Sequence, residues 1–362
     1  MKKLVLIAGA RPNFIKISPL MRTMARSYGD RLNPILVHTG QHYDHEMSQA
    51  FFDELEIPPP DYYLGVGSGS HANQTAQIMI AFEEVCLQEE PDVVVVVGDV
   101  NSTVACALVA KKLGIRVAHV EAGLRSYDLT MPEEINRMVT DVLSDFLFVT
   151  ERSGINNLKK EGKADRAIHF VGNVMVDTLY FQLSRLEKTE NPSPQPAEPF
   201  AVLTLHRPSN VDDEEKLREI MGAMAIIAAE LPIYFPVHPR TQQCLQAVGF
   251  TEGRMWKNLT FLPPLPYQTF LRLWKDAALV LTDSGGMQEE TTALGIPCLT
   301  LRENTERPVT INEGTNILAG TSASTILAAY ASFKTSGGKR GRIPELWDGK
   351  AAERIVAVLA ED

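Results

Sequence analysis

Five consecutive valines, Val93 to Val97, constrain the fold of this chain more than any other feature. A strand buried on both faces reads as continuously apolar, which marks the interior of a parallel sheet. Comparable runs occupy residues 4–8, 34–38, 116–120 and 146–150, separated by amphipathic or alanine-rich stretches of helical character. That rhythm predicts βαβ units. It restarts at 201–205, 233–237, 259–262, 279–282 and 298–301, with a helix predicted over 213–230. Between the two series lies 191–199, a proline-rich break that cannot propagate a helix.

The length of 362 residues exceeds what one core ordinarily serves. The expected architecture is therefore α/β, with two Rossmann-like parallel-sheet domains facing across a cleft. Residues 1–175 form the first and 176–350 the second, and a terminal helix, 351–362, is expected to return and pack on the first. No stretch approaches the roughly 20 apolar residues a bilayer requires. The apolar opening of the chain runs straight into Arg11 and Lys16, so it reads as a first strand and not a secretion signal. A formal charge of −10 argues against nucleic acid as a partner. Cys86, Cys106, Cys244 and Cys298 are too far apart for a metal or redox motif, and read as reduced packing residues of a cytoplasmic chain.

The strands end in residues that carry chemistry. Asp99 follows the valines and Glu121 follows 116–120, so both belong at the carboxyl edge of a sheet, where α/β folds bind ligands. Glu133 stands in the nearby Pro132-Glu-Glu-Ile-Asn-Arg137. A single strand-end acid is commonly a helix cap, whereas three in one half of the sheet suit proton transfer. The loop Gly9-Ala-Arg-Pro-Asn-Phe-Ile-Lys16 leads from strand to helix, and its amides with Arg11 are expected to receive an anion. It has neither the G-x-G-x-x-G nor the G-x-x-x-x-G-K-[ST] pattern, which counts against dinucleotide and P-loop sites. Gly65 to Gly69 reads as a mobile loop.

The second series ends in Thr282-Asp-Ser-Gly-Gly-Met-Gln-Glu-Glu290, a small-residue turn opening a helix whose amides and Ser284 can hold a diphosphate. Glu289 or Glu290, one turn on, can accept hydrogen bonds from a ribose diol. His206 and His238 end two strands of this half beside Arg207 and Arg240, suited to phosphate contact or proton transfer. His38 and His42 are four apart but are broken by Gly40 and lack the glutamate of a zinc helix, so no metal is expected.

Taken together, Gly9-Ala-Arg-Pro…Lys16, Gly98-Asp99, His119-Val-Glu-Ala-Gly-Leu-Arg125, Pro132-Glu-Glu…Asn-Arg137, His206-Arg207, Pro236-Val-His238, Asp283-Ser-Gly-Gly…Gln-Glu-Glu290 and Thr305-Glu-Arg-Pro308 resemble the non-hydrolysing UDP-N-acetylglucosamine 2-epimerases, in order and spacing, over nearly the whole chain. The resemblance implies the GT-B type of two-domain architecture. It also implies interconversion of UDP-GlcNAc and UDP-ManNAc by anti elimination of UDP and re-addition to a bound 2-acetamidoglucal, without a cofactor. Asp99, Glu121 and Glu133 become the acid/base candidates, and His206 with Arg11 would stabilise the departing diphosphate. Ser284, Gly285 and Gly286 would hold phosphate, Glu290 the ribose, and Lys16, Arg137, His238 and Arg307 would line the site. A homodimer is implied in the same way.

Two departures stand out. Asn13 replaces the glutamate of many members, and the run 41–46 differs from the Gln-His-Arg-Glu associated with an allosteric substrate site. Gly9–Lys16, Gly65–His71 and Arg125-Ser126 lean towards relatives acting on UDP-2,3-diacetamido-glucuronate, while Thr305–Pro308 leans back to the GlcNAc enzymes. A retaining glycosyltransferase could use the same fold and diphosphate turn, but would have no use for three carboxylates at a sugar C2. A nucleotide-sugar sensor would likewise leave them idle.

Overall fold

The computed structural model describes residues 1–40, 49–188, 199–250 and 258–361, so the 41–46 run, His42 and most of the proline-rich break lie outside the described residues. The chain divides into two compact units, one formed by Met1–Tyr180 with Glu345–Asp362 and the other by Phe181–Pro344.

In the first unit the strands are β1 (Lys2–Ala8), β2 (Leu32–His38), β3 (Tyr62–Tyr63), β4 (Val93–Val97), β5 (Arg116–Ala122), β6 (Phe146–Val149) and β7 (Ile168–Phe170). They form one parallel sheet in the order β3-β2-β1-β4-β5-β6-β7. The order reverses between β1 and β4, and at such a switch point the loops beyond the strand ends separate and leave room for a ligand. The five valines of β4 are all buried, and the two faces of the sheet serve two apolar clusters. One cluster includes Ala351, Ala352, Ile355, Val356 and Leu359 of the helix Ala351–Glu361. Asp177 accepts from the Ala351 and Ala352 amides at 3.1 and 2.7 Å, supplying the helix start with the acceptor its own sequence lacks.

The second unit repeats the plan with β8 (Ala201–Thr204), β9 (Ile233–Pro236), β10 (Leu259–Leu262), β11 (Leu279–Thr282), β12 (Cys298–Thr300) and β13 (Asn316–Leu318), in the parallel order β10-β9-β8-β11-β12-β13. Its switch point falls between β8 and β11. The helix expected over 213–230 spans Glu214–Ala228, and Asp213 caps it by accepting from the Glu215 and Lys216 amides.

The 65–69 segment departs from its reading as a mobile loop. The Leu64, Val66 and Gly67 amides donate to the carbonyls of His38, Thr39 and Gly40, and Gln74 donates to the Gly67 carbonyl at 2.8 Å. Its glycines accommodate left-handed backbone at Gly65 and Gly67 while the segment continues the edge begun by β3.

Candidate active site

The carboxyl edge of the first sheet presents Asp99 and Glu121 from adjacent strands. Gly98, at φ +67°, turns the chain sharply after β4. Asp99 follows it half-buried, its carboxylate accepting from Arg137 Nε at 3.0 Å and its carbonyl accepting from Asn136 Nδ2 at 2.9 Å. Glu121 arises differently. β5 pairs with β6 through Ala118, His119 and Val120, skips one residue, and resumes at Ala122. Glu121 is the extra residue of this bulge, and its φ of 78° is left-handed in a non-glycine residue. Such a conformation costs about 1–3 kcal/mol, and bulges of this kind re-aim one side chain at a strand end. Here the re-aimed carboxylate is 3% exposed and ion-paired with Lys16. The Lys16 ammonium also lies 3.0 Å from where a Cβ on Gly98 would stand, so glycine leaves room for it.

The helix Pro132–Leu143 carries the other groups of this half, and it is built inside out. Glu134, Asn136, Arg137, Thr140 and Asp141 are buried, while Ile135, Met138, Val139 and Val142 are exposed. Arg137, only 2% exposed, bridges Asp99 and Glu134. Glu134 in turn accepts from the Ser126 and Tyr127 amides at 2.9–3.0 Å, which fixes the loop after β5. Glu133 is half-buried in the first turn, and its side chain makes no hydrogen bond or ion pair among the described residues. Behind the Asp99 turn, His119 is wholly buried with Nδ1 2.7 Å from Asp141 and Nε2 2.9 Å from the Gly98 carbonyl oxygen.

At the start of the first helix, two of the amides expected to receive an anion, those of Gly9 and Ala10, are already taken. Asn13 Oδ1 accepts from both the Gly9 and Ala10 amides, at 3.0 and 2.9 Å, and its Nδ2 donates to the Val97 carbonyl at 3.3 Å. The amide donors are spent on the side chain, so Asn13 ties the first turn to the end of β4. Arg11 sits half-buried at the first helical position.

The second sheet ends in groups of the opposite character. Ser284 caps the helix Gly285–Leu294 by accepting from the Met287 amide, which leaves the Gly285 and Gly286 amides without intrahelical acceptors. A Cβ on Gly285 would come within 2.6 Å of Arg307 Nη1, so glycine admits the guanidinium to the helix start. Arg307 is ion-paired with Glu289 at 2.8 Å and with Glu306. Arg302 reaches Glu306 at 2.8 Å and Arg207 reaches it at 3.4 Å. Three guanidiniums on two carboxylates leave this corner positive. Burial alone would raise the Glu306 carboxyl, yet the surrounding arginines hold it well below the ordinary range. Arg302, 6% exposed, keeps Nη1 without a hydrogen-bond partner among the described residues.

His206 is exposed at the end of β8, and its Nδ1 lies 2.9 Å from Asp283 Oδ1. The buried Asp283 also accepts from the His206 and Arg207 amides at 3.0 and 2.9 Å. Burial would push this carboxyl up, but the His206 ring and those amides together hold it below its usual value. Asp283 thus fixes the ring so that Nε2 is presented outward. His238 caps the helix Pro239–Ala247, its ring 6.3 Å from that of His206. Arg240 is turned away into a pair with Asp212. Glu290 accepts from the Tyr267 hydroxyl, and burial, its largest influence, pushes its carboxyl up to about 7 with help from Glu289.

Asp283, Glu134, Asp141, His119 and Arg302 were not singled out by sequence reasoning, although Asp283, Glu134 and His119 lie within the quoted motifs. Among the described residues no group of three or more His, Cys, Asp or Glu side chains gathers as a metal would require. One edge can take or give protons, and the other can receive an oxyanion.

A family model described as UDP-N-acetylglucosamine 2-epimerase matches residues 26–360. The chain is 44% identical to a UDP-N-acetylglucosamine 2-epimerase from Methanocaldococcus jannaschii, over 99% of this chain and 98% of that protein. It is 40% identical to a UDP-2,3-diacetamido-2,3-dideoxy-D-glucuronate 2-epimerase from Pseudomonas aeruginosa, over 99% of each. The crystal structure of the M. jannaschii UDP-GlcNAc 2-epimerase in complex with UDP-GlcNAc and UDP matches with a TM-score of 0.90 at 42% identity, covering 99% of this chain and 100% of that one.

Proposed function

The chain belongs to the UDP-N-acetylglucosamine 2-epimerase family, an isomerase family, and we propose that it interconverts UDP-GlcNAc and UDP-ManNAc. The observation that carries this is the pair of carboxylates, Asp99 and Glu121, delivered by adjacent strand ends and each ion-paired with a buried cation. A carboxylate takes the C2 proton, the C2–H electrons form the C1=C2 bond, and the C1–O bond breaks with its electrons on the UDP phosphate. A second acid then protonates C2 on the opposite face and UDP adds back at C1. Asp99, Glu121 and Glu133 share the proton steps. His206, held by Asp283, gives its outward nitrogen to the leaving diphosphate, with Arg11 beside it in role.

The second unit is assigned the nucleotide. Ser284 with the Gly285 and Gly286 amides binds phosphate, Arg307 adds positive charge, His238 lines the site, and Glu290 accepts from the ribose. Lys16 and Arg137 act through the carboxylates they hold. Incubation with UDP-GlcNAc in D₂O, followed by proton NMR, tests the reading. UDP-ManNAc carrying deuterium at C2 supports it. Turnover of the UDP-2,3-diacetamido-glucuronate alone moves the substrate to that of the P. aeruginosa relative, and absence of exchange with either sugar removes the epimerase reading.

The reading includes a cytoplasmic homodimer. The four cysteines are unpaired, as suits a reducing compartment. The exposed stripe Ile135, Met138, Val139 and Val142 has the spacing of a helix seam that a second copy can cover isologously. Covering four such side chains is worth a gross of at most about 6–12 kcal/mol, similar to the ~4–15 kcal/mol that association costs, so the stripe is the centre of a larger interface. Sedimentation of wild type as a dimer and of Val142→Asp as a folded monomer is the expected result; a monomeric wild type removes the dimer from the reading.

A further inference from the structure

His119 lies directly behind the Asp99 turn, yet the proposed reaction gives it no step. Its Nε2 faces the Gly98 carbonyl oxygen at 2.9 Å, and a carbonyl can only accept, so Nε2 donates. Its Nδ1 faces Asp141 at 2.7 Å. Asp141 also receives the Gly123 amide at 3.1 Å and the Arg125 guanidinium at 2.7 Å. Burial would raise its carboxyl, but His119 and Arg125 hold it below the ordinary range. The His119 ring is thus held on both edges, by Asp141 on one side and the Gly98 carbonyl on the other.

A buried charge is tolerated only when it is paired. Here Arg125 is gripped in turn by Glu161, through Nε at 2.9 Å and Nη2 at 2.7 Å. Arg125 and the two carboxylates therefore close the cluster beside His119, with Lys163 the next cation facing Asp141. The cluster bears on the acid/base residue through one peptide. Gly98 is left-handed, so a small rotation there swings Asp99. Its carbonyl is held by His119, the next carbonyl by Asn136, and the carboxylate by Arg137. Asn136, Arg137 and Asp141 all belong to the buried polar face of one helix.

We propose that His119, held from behind by Asp141, is a positioning residue that aims Asp99 through the Gly98 carbonyl; this rests on the reading of Asp99 as an acid/base group. Long-range proton–nitrogen NMR on the ¹⁵N-histidine protein, with the His119 ring assigned by its loss in His119→Gln, tests the first half without any substrate. A proton on Nε2 is expected, and an unprotonated Nε2 overturns the proposal. For the second half, Asp141→Asn and His119→Gln are expected to lower kcat roughly ten- to a hundredfold while KM and UDP affinity stay within about twofold, the pattern of a misaimed group. An unchanged kcat, or a kcat that falls only in step with loss of folded protein by circular dichroism, overturns it. Should wild type leave UDP-GlcNAc unchanged, the substrate reading fails by itself, and the same kinetics are read on the diacetamido-glucuronate sugar.

Discussion

The two sheets share one plan and end in opposite electrostatics. In the first unit the strand ends present carboxylates, and the cations Arg137 and Lys16 are spent on holding them. In the second the strand ends present a histidine, arginines and open amides, and the carboxylates Asp283, Glu289 and Glu306 are spent on holding those. A parallel sheet with its switch point fixes where a ligand can sit. The residues just beyond the strands decide whether that place moves protons or receives an anion.

The sharpest way to break this division is to neutralise one edge and read the other. Asp99→Asn and Glu121→Gln are each expected to cut turnover at least about a hundredfold, the usual scale for a general acid or base, with UDP affinity by calorimetry unchanged. A parallel loss of UDP affinity would mean that the first edge also binds the nucleotide. Gly285→Ala approaches from the other side. The added methyl meets the Arg307 guanidinium, so UDP affinity should fall roughly ten- to a hundredfold as arginine or helix start gives way. Unaltered affinity would dissociate Arg307 from phosphate binding.

The smallest effect concerns Glu290. With its carboxyl near 7, protonation removes the acceptor assigned to the ribose, so UDP affinity should fall severalfold as pH drops through that value, and Glu290→Gln should flatten the profile. The ligand-free protein has the opposite sign. A carboxyl raised on folding contributes stability that is fully present below its unfolded value of about 4.5 and is lost as pH rises through about 7. An affinity profile that stays level across this range in wild type would leave the ribose without its proposed acceptor.

The interior strands were legible because burial on both faces leaves a continuous apolar run. The three strands without such a run, Tyr62–Tyr63, Ile168–Phe170 and Asn316–Leu318, are all sheet edges two or three residues long, where half-exposure erases the pattern. The strand-end acids were legible from position alone. Of the groups that hold them, Lys16 and Arg137 were named only as lining the site and Glu134 and Asp141 were missed, since the helix Pro132–Leu143 reverses the usual rule: periodicity alone assigns Ile135, Met138, Val139 and Val142 to a core, whereas the structure buries Glu134, Arg137 and Asp141. Glutamate, arginine and aspartate at i, i+3 and i+7, soon after a strand-end acid, were the available signal. Asn13 illustrates the same limit, because a side chain that consumes two amides looks in sequence like an ordinary helix start.

The helix Ala351–Glu361 belongs to the core of the unit that begins with Met1. When a nascent chain has reached Pro344, Phe181–Pro344 is complete, while the first unit has its sheet but still lacks the helix Ala351–Glu361 that helps to cover one face of it. The second unit can therefore finish folding first, against the usual order in which the earlier-made domain leads. Until the 345–361 segment emerges from the ribosome, the unit carrying Asp99 and Glu121 waits with apolar surface uncovered, which makes that interval the point at which chaperones matter most.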